Sequence, residues 1–167
     1  MTRRFNADVD AAAIYGVAPL HLATDAGTLR RLLEKGARVD TWSKTRGTPL
    51  HAAVNGNSEE GVRLVLEHGA RVETGDAGGN TALHHAAGKG RDDVVSLLVE
   101  FGADIDAVND LNFTPLHWAA GNGHAGVVAF FVEAGARRDL KGYNGLSARD
   151  LAKEKGHENV ARLLDDS

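Results

Sequence analysis

One interval recurs through this chain: Thr48, Thr81, Thr114 and Ser147 follow one another at spacings of 33 residues. Each opens a copy of one phrase, Thr-Pro-Leu-His at 48 and 114, Thr-Ala-Leu-His at 81 and Ser-Ala-Arg-Asp at 147, and a further copy, Ala-Pro-Leu-His, begins at Ala18. A period of this length implies small units that cannot bury their apolar faces alone and therefore stack to share one continuous core. Function in such a stack belongs to an extended surface.

Residues 81 to 113 show what one unit contains. Thr81 is a good N-cap, because its side-chain oxygen can accept from a free N–H at a helix start. In three other copies the next residue is Pro19, Pro49 or Pro115, all the prolines of the chain. Proline suits a first helical position, where its missing N–H would be unpaired anyway. The first helix runs through the small Ala86 and Ala87 and is expected to stop near Gly90, with Gly27, Gly123 and Gly156 equivalent and Asn57 replacing glycine in the copy at Thr48. A second helix carries Val94, Val95, Leu97, Leu98 and Val99 and ends at Gly102, matched by Gly36, Gly69 and Gly135. Helices of about eight to ten residues are marginal alone, so each pair needs neighbours. From Ala103 to Phe113 the helical period gives way to Asp and Asn, the composition of an extended turn.

In Thr-Pro-Leu-His, then Ala-Ala, then Gly, an apolar helix ending in Gly-Ala-Asp and a turn closing on Gly, the unit resembles the ankyrin repeat, and the pattern covers residues 6 to 164. The resemblance implies an all-α solenoid of stacked antiparallel helix pairs with hairpin-like finger loops, which binds other proteins through its finger tips and inner-helix face. One domain is expected over 1–167: a partial repeat or finger (1–17), a short repeat (18–47), full repeats (48–80, 81–113, 114–146) and a C-terminal capping helix pair (147–167).

Departures from the template carry their own expectations. The copy at Ala18 is short, with Gly27 and Gly36 nine residues apart where other copies have twelve. The deletion is expected between the helices, with the outer helix starting near Thr28 and Leu29, Leu32 and Leu33 inward. Gly61 replaces the valine of Val94, Val127 and Val160, which costs a helix interior roughly 0.5–1 kcal/mol and marks a soft spot. Arg46 occupies the finger position of Gly16, Gly79 and Gly145, and Gly47 lies one residue late, so this finger is expected to be distorted. Lys153, Glu154, Lys155, Glu158, Arg162 and Asp165 make the last copy read as a cap, whereas residues 6 to 17 read as a finger without its helix pair, with Asn6 where the helix-ending glycine should be.

Composition narrows the function. With 167 residues, 43% apolar content and a net charge of −4 from interspersed acids and bases, the chain offers no basic stripe to nucleic acid or an anionic membrane. No cysteine is present to form a disulfide or a thiolate. No apolar run approaches the roughly 20 residues that span a bilayer, and the polar start lacks a signal-peptide core. A soluble cytoplasmic or nuclear protein is expected, monomeric, with its uncapped N-terminal end as the route to self-association.

Of eight histidines, His21, His51, His84 and His117 hold the fourth motif position, where they can reach the cap backbone, and His124 and His157 follow the inter-helix glycine. Only His68 and His85 remain. Metal binding is not expected: ligands about 2.1 Å from zinc lie within ~4 Å of each other, whereas neighbouring helices pack about 8–10 Å apart. Asp92-Asp93 and Glu59-Glu60 fall at outer-helix starts, where carboxylates meet the positive end of the helix dipole. No phosphate loop or nucleophile motif is present. Neither catalysis nor a cofactor is expected.

Positions without a template duty are where partner information can be stored. On the fingers these include Ile14, Tyr15, Lys44, Ala77, Asp110, Leu111, Phe113, Tyr143 and Asn144, and on the inner helices Asp25, Ala26, His85, Lys89, Trp118, Asn122 and Leu151. Aromatic residues there are what protein interfaces favour, although Trp118 follows a motif histidine, where family members carry Leu or Trp packed between inner helices. Phe5, Phe101, Phe130 and Phe131 are expected in the core. The expected binding set is Tyr15, Lys44, His85, Lys89, Leu111, Phe113, Trp118, Asn122 and Tyr143, in a non-catalytic module docking a protein partner. The alternatives are a regulatory inhibitor that covers an enzyme or toxin and a scaffold or engineered array without a dedicated partner; the irregular copies argue against idealised design.

Overall fold

In the computed structural model of the chain, which describes residues 9–10, 14–23, 25–56 and 58–165, the motif threonines stand at helix starts. Extended backbone at Thr48, Thr81, Thr114 and Ser147 gives way at once to helix. Among the described residues the chain forms nine α-helices and no sheet, an all-α repeat solenoid, with isolated bridges only at Ser43–Gly47 and Lys141–Ser147. It divides into two compact units, residues 1–70 and 71–167.

The second unit holds three helix pairs: α4 (Ala82–Gly88) with α5 (Asp92–Glu100), α6 (Pro115–Gly121) with α7 (Ala125–Glu133), and α8 (Ala148–Glu154) with α9 (Glu158–Leu163). The inner helices pack in the row α4, α6, α8 and the outer ones in the row α5, α7, α9. Ala86, Ala87, Ala119, Ala120 and Ala152 let the inner row approach closely, and Val94, Val95, Leu98, Val127, Val128, Phe131 and Val160 fill the space between the rows. The pairs turn as expected. Gly90, Gly123 and Gly156 follow the inner helices, and Gly102 and Gly135 the outer ones, all with left-handed backbone at φ between 67° and 88°. Asp92 and Asp93 stand in the first turn of α5.

The motif histidine His84 ties its helix to the following finger. The Thr81 N–H donates to Nδ1 of His84 at 3.1 Å, so the ring proton resides on Nε2, which donates to the carbonyl of Phe113 in the next finger at 2.9 Å. In the final copy Asp150 replaces histidine and accepts from both the N–H and the Oγ–H of Ser147. His124 and His157 also gain a duty: each ring lies against the helix-ending glycine of the preceding pair, Gly90 or Gly123, and His124 Nε2 sits 2.9 Å from the carbonyl of Gly88.

The first unit contains α1 (Ala26–Glu34), α2 (Pro49–Asn55) and α3 (Glu59–Glu67), plus 3-10 turns at Ile14–Gly16 and Pro19–His21. Here the expectation for the short copy is corrected. The missing residues come out of the inner helix, which is reduced to the three-residue turn at Pro19–His21. Gly27 ends no helix; it lies inside α1, whose N-cap is Asp25, accepting from the Thr28 N–H at 2.8 Å. Asp25 and Ala26 therefore belong to the outer helix and not to an inner-helix surface. Leu29 and Leu33 are buried as expected, while Leu32 is half-buried. Gly61 has a reason as well. It is fully buried, and a Cβ there would meet Leu29 Cδ1 at 2.8 Å, so Leu29 takes the volume that valine fills elsewhere. Phe131 is in the core, but Phe101 is exposed at the C-cap of α5. The readings at Phe5, Asn6 and Asn57 lie outside the described residues.

Candidate functional site

The surface of interest in the second unit is built from fingers and inner helices. Each finger there is a tight turn opened by a residue that accepts from the backbone of its own loop. Asp76 Oδ1 accepts from the N–H groups of Gly78 and Asn80 at 2.9 and 3.0 Å, and Asn109 Oδ1 accepts from Leu111 and Phe113, both at 3.0 Å. The Gly79 N–H returns to the carbonyl of Asp76, that of Asn112 to Asn109 and that of Gly145 to Gly142. The turning residue has positive φ: 73° at Gly79, 78° at Gly145 and 56° at Asn112, asparagine being one of the few side chains that tolerate this region. Successive fingers are joined by Asp110 N–H to Gly78 O and Tyr143 N–H to Leu111 O, and by the Asn109 amide donating to Asn80 Oδ1 at 2.7 Å.

This framework fixes the tips. Tyr143 is 68% exposed and Leu111 49%. Phe113, half-buried, lies over Gly142, where any Cβ would strike its ring, and meets Tyr143 edge-on at 5.7 Å between centroids. The ring of Trp118 rests on Gly88, and its centroid lies 6.0 Å from that of His84 and 5.6 Å from that of His85. Between these elements is an open groove of about 330 Å³ lined by Phe113, His117, Trp118, Gly121, Asn122, Leu151 and Lys155. Lys89 follows Gly88 and is exposed.

Electrostatics tie down the neighbouring acid. Burial alone would push the Asp76 carboxyl up, but the hydrogen bond from His85 Nε2 at 2.8 Å, together with those from Gly78 and Asn80, holds it down at about 2. His85 is thus spoken for by an acid that its sequence position does not announce. Burial lowers the His117 pKa, partly opposed by the carbonyls of Leu146 and Leu140. Its Nε2 faces those carbonyls without completing a hydrogen bond.

Seven of the nine expected binding residues fall in the second unit: Leu111, Phe113 and Tyr143 on joined fingers, His85 and Trp118 on the inner helices, and Lys89 and Asn122 at their C-caps. Tyr15 and Lys44 lie in the first unit, where the Lys44 N–H donates to the carbonyl of Tyr15. Tyr15 is 65% exposed and in left-handed backbone at φ 67°. The finger that carries Lys44 is distorted as expected: Gly47, with φ 68°, closes it by pairing N–H to C=O both ways with Ser43, one residue wider than the other turns. Sequence reasoning missed Asn109, Gly142 and Lys155. Asn109 and Asp76 share a register 33 residues apart, and that recurrence was the available signal.

Among the described residues no cluster of three or more His, Asp or Glu is arranged to hold a metal ion, and no helix is long and apolar enough to cross a membrane. Repeated helix pairs with fingers pinned by motif histidines define a stacked-repeat protein whose distinctive side chains lie on its surface. The family model for ankyrin repeats matches the chain in three overlapping copies, at residues 5–76, 20–109 and 101–167, and the chain belongs to the ankyrin-repeat family. Ankyrin repeats are generally protein–protein interaction modules and are typically non-catalytic. A search of the curated proteins finds no match.

Proposed function

We propose that this chain is a non-catalytic interaction module that docks a protein partner on the finger and inner-helix surface of residues 71–167. The observation that carries the reading is the groove between Phe113, Trp118 and Leu151, flanked by exposed Leu111 and Tyr143. Large, stiff apolar side chains on a framework of hydrogen-bonded fingers supply contact area at little ordering cost. Tyr15 and Lys44, adjacent in the first unit, are proposed as a separate contact.

The test compares affinity capture by the wild-type chain with capture by the double substitution Leu111→Ser and Tyr143→Ser. Both side chains are exposed, so the thermal transition is expected to stay within a few degrees. Partners of the wild type should be absent from the variant's eluate. An unchanged set of captured proteins overturns the reading.

A further inference from the structure

The groove has a charge signature that narrows its occupant. Of its lining residues only Lys155 carries a fixed charge, and the lining contains no acid. Lys89 stands next to Gly88, the glycine beneath Trp118, and Asn122 Nδ2 comes close to the same glycine. Neither lysine makes an ion pair among the described residues. Of the acids on the adjoining elements, Asp76 is held by His85, Gly78 and Asn80, and Glu154, next to Lys155 in the chain, makes no ion pair with it among the described residues. An apolar floor rimmed by two lysines without an ion pair thus stands on a chain whose net charge is −4. Complementary charge at an interface rim steers encounter and excludes wrong partners, while the apolar centre supplies affinity.

We infer that the groove takes an acidic partner segment with one bulky apolar side chain seated between Phe113, Trp118 and Leu151 and flanking carboxylates that reach Lys155 and Lys89. The inference rests on the docking reading above and adds the chemistry of the partner.

Fluorescence anisotropy on the full chain tests it with three labelled hexapeptides: Glu-Asp-Leu-Trp-Asp-Glu, the same core flanked by Lys and Arg, and the acidic flanks around Ala-Ala. The first should bind, and the other two at least about tenfold more weakly. Lys155→Glu should weaken the first probe by about fivefold, as should raising salt from 0.05 to 0.5 M, since exposed charge pairs are screened beyond about 10 Å at 0.1 M. Both lysines are exposed, so an unchanged thermal transition confirms the fold of the variant. Equal binding of the basic probe, or no binding of the acidic probe below about 1 mM, overturns the acidic specificity. If the acidic probe binds but Trp118→Ala leaves its affinity unchanged, the docking surface is overturned too. Basic-probe binding that Trp118→Ala abolishes would remove only the charge assignment.

Discussion

At the scale of single residues, small side chains decide where the large ones go. Gly142 is buried beneath Phe113 without left-handed backbone, so it is glycine for space and not for dihedral freedom. Gly142→Ala is expected to displace the Phe113 ring and cost about 1–3 kcal/mol in urea unfolding, the usual range for overpacking. Asn109→Ala removes the acceptor for the Leu111 and Phe113 N–H groups and the donor to Asn80, which should cost about 1–3 kcal/mol. It should also loosen the tip that carries Leu111. His117 adds a pH dependence. Its neutral form is favoured in the fold, so as pH falls below the ordinary 6.5 the unfolded chain takes up the proton first. Stability is complete above 6.5 and declines as pH drops toward the folded value; His117→Gln should remove part of that decline between pH 7.5 and 5. Exposed residues such as Leu111 and Tyr143 were legible because subtracting the template leaves them without a duty. Asn109 was not, since its work is local hydrogen bonding that only the folded turn reveals.

At the scale of elements, the short copy shows where periodicity stops being informative. The distance between Gly27 and Gly36 reports that residues are missing, but not whether a turn or a helix lost them. The deciding signal was Asp25, which caps α1 as Ser58 caps α3, each accepting from the N–H three residues on. An N-cap anchors an outer helix more firmly than a glycine that any turn can use. Two consequences follow for the first unit. The amides of Leu20, His21 and Leu22, held at most by 3-10 turn bonds, should exchange with solvent well before those of α2 in a hydrogen-exchange experiment. Gly47→Ala, at φ 68°, should cost about 1 kcal/mol, whereas the same change at Gly61 trades a gain in helix propensity against pressure on Leu29.

At the scale of the molecule, the repeat was the most legible feature, because caps, glycine stops and motif histidines recur with it in most copies. Stability in such an array is a sum of unit terms and nearest-neighbour terms. The second unit has three complete helix pairs, while the first has one reduced to a 3-10 turn, so the slowest-exchanging amides are expected in α4 through α7. Equal protection across residues 19–133 would contradict that ordering. The hydrogen bond from His84 to the carbonyl of Phe113 has a bearing on how such a chain can change over generations. Donor and acceptor stand 29 residues apart, one in a helix and one in the following finger. Duplicating the whole period 81–113 conserves that pairing, because those residues contain both the His84 ring and the Phe113 carbonyl. A cut of another length survives only where the finger still reaches back to the ring, as in the short copy, where His21 Nε2 lies 3.1 Å from the carbonyl of Gly47. Growth by whole units is therefore nearly neutral for the fold, and the surface of each new copy is left to drift toward a partner of its own.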